Sequence, residues 1–71
     1  METKEIIRVI KEQREKREVR LNEAKKNISS DYVLAQLDFV TIENYEDSIK
    51  TLKTIELQLI DLQNRIIERN N

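Results

Sequence analysis

An all-α fold, an antiparallel two-helix hairpin of coiled-coil character, is predicted by three features of this 71-residue chain. It contains no Gly and no Pro, the residues on which tight turns and strand boundaries most rely, and this argues against a β-rich fold. Charged residues and hydrophobic residues each make up 38%, the balance of long amphipathic helices. The only cluster of turn and capping residues is Asn27-Ile28-Ser29-Ser30-Asp31, and it divides two stretches of apolar periodicity that also argue against disorder.

The first helix is expected over about 3–27, with Thr3 as N-cap and Glu5 in the first turn, where a carboxylate meets the positive end of the helix dipole. Ile6, Ile7 and Ile10 open its apolar face. Steps of three and four then give Gln13, Arg14, Arg17, Leu21, Ala24 and Ile28, so the stripe is apolar at both ends and polar in the middle. The turn is placed at about 28–31, with Ser29 or Ser30 accepting from the first free amides of the next helix. The second helix is expected over about 31–69 with the stripe Leu34, Leu37, Thr41, Tyr45, Ile49, Leu52, Ile55, Leu59, Leu62, Ile66, close to a heptad. Its softest point is Val40-Thr41-Ile42, where β-branched side chains lose rotamer freedom; a kink there converts the hairpin into three helices. Glu12 to Lys16, Glu46 to Lys50 and Asp61 to Arg65 are i,i+4 pairs in the favourable order.

Closing the hairpin about this turn sets Ala24 near Asp38, Arg17 against the ring of Tyr45, Ile10 near Leu52 and Ile7 near Ile55. Residues 1–30 carry nine basic and six acidic side chains, net +3, and residues 31–71 carry four basic and eight acidic ones, net −4. This asymmetry favours antiparallel pairing of the two helices over parallel self-pairing. Because the second helix is the longer, part of it is expected to lack a partner within the chain. The apolar segment around and beyond Leu59 is the candidate surface: Ile55, Leu59, Ile60, Leu62, Ile66 and Ile67, to be covered by another protein or another copy.

Catalysis is not expected. Cys and His are both absent, which removes disulfides, the usual ligands of zinc, copper and non-haem iron, and the commonest nucleophiles and general bases. No catalytic, cofactor-binding or metal-binding residues are assigned. Glu43, Glu46 and Asp47 form the densest carboxylate cluster, but they lack the Gly and alternating ligands of a calcium loop and read as a solvated helix face. Nucleic-acid contact is the alternative with a specific residue set, Arg14, Arg17 and Arg20 on the basic first helix. Glu12, Glu15, Glu18 and Glu23 dilute that field, and neither helix-turn-helix spacing nor an aromatic platform is present. Tyr32 and Phe39, close to the turn, are expected to plug the closed end of the hairpin, with a small exposed contact patch as the alternative.

No apolar run approaches the ~18 residues of a membrane span, and no signal-peptide pattern opens the chain, so a cytoplasmic protein without a membrane or small-molecule partner is expected. The abundance of Ile, Lys, Asn and Glu fits AT-rich coding, as in a low-GC bacterium or a phage or other mobile element within one. The expected function is that of a non-enzymatic regulator or adaptor binding another protein by helix–helix contact. The alternatives are a homodimeric structural or scaffolding subunit built as a helical bundle, and the nucleic-acid reading above.

Overall fold

The computed structural model describes residues 2–70 and the side chains of residues 2–67. Two helices, α1 (Thr3–Lys26) and α2 (Tyr32–Asn70), pack against each other as an antiparallel hairpin. The rod measures 59 × 16 × 14 Å. A straight 39-residue helix is about 58 Å long, so α2 alone accounts for the long axis and runs unbroken through Val40-Thr41-Ile42. The kink considered from sequence is not formed. Among the described residues Ile42 is one of two buried side chains, with Ile49, and its packing outweighs a small propensity cost. The Thr41 hydroxyl is satisfied by donating to the Leu37 carbonyl at 3.0 Å.

Both helix starts differ from expectation. Thr3 is the first helical residue, and the N-cap is Glu2, in extended conformation with no side-chain cap bond; its carbonyl accepts from the amides of Glu5 and Ile6. At α2 the cap is Asp31, whose Oδ1 accepts from the Leu34 amide at 3.1 Å while its carbonyl accepts from Ala35. Ser29 instead organises the turn: its Oγ accepts from the Asp31 amide, and its own amide donates to Asp38 Oδ2 at 2.8 Å. At the end of α1 the Asn27 amide returns to the carbonyls of Glu23 and Ala24, and the Asn27 side chain donates to Glu23 as well. No described residue outside glycine adopts positive φ, so the chain reverses in an open five-residue passage, not a tight turn.

That passage allows a wide offset between the helices, and ion pairs across the seam mark the register. Arg14 of α1 pairs with Glu56 of α2, and Glu18 with Lys53, about two helical turns from the expected alignment. At 1.5 Å per residue in both helices, the end of α1 then falls near Asn44, and Ile10 lies level with Ile60 rather than Leu52. The uncovered part of α2 is consequently its start. The chain overshoots the end of α1, Asp38 holds Ser29 beside it, and residues 32–37 project beyond.

The buried seam follows strict heptad spacing. On α1 it runs through Ile7, Ile10, Arg14, Arg17, Leu21 and Ala24, and on α2 through Ala35, Asp38, Ile42, Tyr45, Ile49, Leu52, Glu56, Leu59 and Gln63; all are buried or half-buried. Leu34, Leu37 and Thr41, assigned to the seam from sequence, lie one residue ahead of it and are exposed. Arg17 does not meet Tyr45; its Nη1 donates to the carbonyl and Oε1 of Gln13 on its own helix. Of the three expected i,i+4 pairs, Asp61 with Arg65 closes at 3.1 Å, Glu12 pairs instead with Arg8 at 3.9 Å, and Glu46 and Lys50 form no ion pair with each other among those found in the described residues.

With so small a core, single truncations should be costly. Ile49→Ala is expected to remove about 2–4 kcal/mol and Asp31→Ala about 1 kcal/mol, the first flattening and the second shifting the urea transition followed by circular dichroism.

Candidate protein-interaction surface

At the centre of the seam lies a polar cluster. Arg14 Nε donates to Glu56 Oε2 at 2.8 Å and Arg14 Nη1 to Glu18 Oε1 at 3.0 Å. Side-chain exposure is 17% for Arg14 and 14% for Glu56, so the pair is largely withdrawn from water in a position usually apolar. The hydrogen bond to Glu56 first, and that to Glu18 second, push the guanidinium pKa further up against the opposing effect of its surroundings. Lys53 Nζ approaches Glu18 at 4.0 Å from across the seam.

Glu18 and Lys53 each follow a seam residue by one position, and their pairing shows that these following positions line one long edge of the hairpin. That edge is charged, with Lys4, Arg8, Lys11, Glu15 and Glu18 from α1 and Glu43, Glu46, Lys50 and Lys53 from α2. Positions that precede the seam by one line the opposite edge, as antiparallel geometry requires. Here α2 presents Leu34, Leu37, Thr41, Asn44, Ser48, Thr51, Ile55, Gln58 and Leu62, a second heptad row with no charged member, in a chain 38% charged. Ser48 and Ile55 are half-buried, and the other seven are exposed. From α1 the same edge receives Ile6, Val9 and Gln13 at the open end of the hairpin and the charged Lys16, Arg20 and Glu23 toward its closed end. The single stripe read from sequence is therefore two adjacent stripes, one buried and one in solvent.

The closed end carries a further apolar surface. Tyr32 is 78% exposed and Phe39 50%, with Val33 and Val40 exposed beside them. They do not plug the hairpin: the overshoot of the turn leaves α1 too short to reach them. The residues expected to form the interface divide into two sets. Ile55, Leu59 and Ile60 are half-buried, partly enclosed by the hairpin, while Leu62, Ile66 and Ile67 remain exposed.

Of the arginines considered for nucleic acid, Arg14 is committed to carboxylates and Arg17 to Gln13, leaving Arg20 exposed and outside the hydrogen bonds found among the described residues. Glu43, Glu46 and Asp47 are all exposed, and among the described residues no group of His, Cys, Asp or Glu could hold a metal ion. The surface depressions are open grooves, the first lined by Leu21, Ile49 and Leu57 with Lys50 and Lys53 at its rim. Among the described residues no helix is long and apolar enough to cross a membrane.

Replacing Glu56 alone with Leu should lower the urea midpoint by leaving the part-buried Arg14 with Glu18 alone, and Arg14→Leu in the same chain should recover it, because an apolar pair fills the seam without desolvated charge. Equal shifts from Arg14→Leu in the wild-type and Glu56→Leu chains would show the two side chains to be uncoupled.

Compared with known protein families, with curated proteins and with solved structures, the chain matches none of them.

Proposed function

We propose that this chain is a small, cytoplasmic, non-enzymatic regulator or adaptor that works by helix–helix contact with other protein surfaces. The observation that carries this reading is the first three turns of α2, where Tyr32, Val33, Leu34, Leu37, Phe39 and Val40 are all half or more exposed. A helix apolar on every side is a helix built to be enclosed, and aromatic side chains in such patches are the usual anchors of protein interfaces. The exposed Leu62, Ile66 and Ile67 at the far end extend the same character along α2. AT-rich composition is the pointer to a phage or other mobile element as its source.

A structural or scaffolding role is the second reading, favoured by the uncharged row along α2. Contact with nucleic acid has less support, since two of its three arginines face the seam.

A photo-crosslinking residue at Phe39, introduced in the cells that make the protein, should trap adducts with other proteins, and one at Glu15 on the charged edge should trap few. Equal yields from the two positions would overturn the adaptor reading.

A further inference from the structure

We infer that the uncharged edge of α2 is occupied by the same edge of a second copy of this chain, the two α2 helices crossing antiparallel with Ser48 at the two-fold axis. This names a partner for part of the surface discussed above and rests on the reading of the chain as an interaction module.

The first support is the symmetry of the row. Turned end for end about Ser48, Leu34 falls on Leu62, Thr41 on Ile55 and Asn44 within one step of Thr51. Leu34 thus meets Leu62 at both ends and the small uncharged Asn44, Ser48 and Thr51 meet in the middle, while between them Thr41 meets Ile55 and Leu37 lies within one step of Gln58. An isologous contact demands this self-complementarity, whereas a foreign helix demands nothing of the kind. Ser48, the smallest residue in the row, lies where the two backbones come nearest, where a larger side chain would hold them apart.

The second support is charge. No member of the row is charged, so two copies meet without repulsion along it, while the opposite edge would confront its own lysines and glutamates. On α2, Asp47 beside the axis faces its own copy and is exposed, and on α1 the same edge turns Lys16, Arg20 and Glu23, charges of both signs, toward the partner.

The third support is area. A compact monomer of 8.5 kDa exposes about 4,650 Å² by the usual size scaling, and this chain exposes 5872 Å². The excess of about 1,200 Å² exceeds the ~800 Å² that each partner contributes to a standard interface. Geometry agrees, since a helix in a four-helix bundle has neighbours on two sides roughly a right angle apart, and consecutive residues on an α-helix, like the two rows of α2, stand ~100° apart.

The test uses the full chain, whose lack of Cys makes single-cysteine variants unambiguous. Sedimentation equilibrium over two decades of concentration should give twice the 8.5 kDa of one chain. Under mild oxidation Ser48→Cys should form the disulfide-linked dimer roughly tenfold faster than Lys50→Cys, because facing residues on the axis come within disulfide reach and those on the far edge do not. Leu37→Asp with Leu62→Asp should give a helical monomer, and Asp47→Asn a dimer that persists to lower concentration. A wild-type monomer throughout, Lys50→Cys crosslinking as fast as Ser48→Cys, or a double variant that stays dimeric would each overturn the inference. If the double variant loses its helicity, the cysteine comparison decides. Failure here leaves adducts at Phe39 untouched, and loss of those adducts from an intact dimer overturns the adaptor reading alone.

Discussion

The pairing of Arg14 with Glu56 fixes everything else in this molecule. Apolar heptads are nearly degenerate: Ile and Leu on one helix accept Ile and Leu on the other at any shift of a whole heptad. A guanidinium withdrawn from water is less tolerant: Glu18 of its own helix accompanies Arg14 in every register, but the carboxylate across the seam meets it in one, and losing that partner costs more than the shift could regain. Glu56 is the only acidic residue of α2 on the seam apart from Asp38, which is held by the Ser29 amide, so one alignment answers Arg14 and the others do not. From that alignment follow the overshoot of the turn, the projection of residues 32–37 and the exposure of Tyr32 and Phe39.

Much of the fold was legible in the sequence. The absence of Gly and Pro, the two apolar periodicities and the one polar interruption at Asn27–Asp31 specify two helices and their antiparallel order. Their boundaries fall within a residue or two of those expected. The register was not legible, because it was inferred from the position of the turn on the assumption of a tight reversal. The polar centre of the first stripe is visible in the sequence, but its meaning depends on which carboxylate it reaches, and that follows from the register.

The surface was half legible for a related reason. A tolerant three-or-four spacing rule passed from Leu34, Leu37 and Thr41 to Tyr45, Ile49 and Leu52 without registering that it had changed rows. Strict heptads beginning at Ala35 and at Leu34 separate the two, and the second then declares itself by the lack of charge over nine consecutive positions. Apolarity alone could not have shown it, since Thr41, Asn44, Ser48 and Thr51 are polar. Asp31 was likewise passed over for the serines before it, although the helix it caps starts at the next residue.

The projecting start of α2 has a consequence for what a pair of these hairpins could do. With Ser48 on the axis, the two Tyr32 side chains are 32 residue steps apart along the crossed helices, about 48 Å at 1.5 Å per step. In such a pair they would stand at opposite ends of one stiff strut. Each end would carry its own aromatic anchor, outside the row proposed to join the copies, so that a single strut would hold two client proteins at a set separation or grip one repetitive client twice. Gripping twice multiplies weak attachments, since the second is made at the high effective concentration that the first creates, and a rigid helix fixes that separation where a flexible tether would blur it.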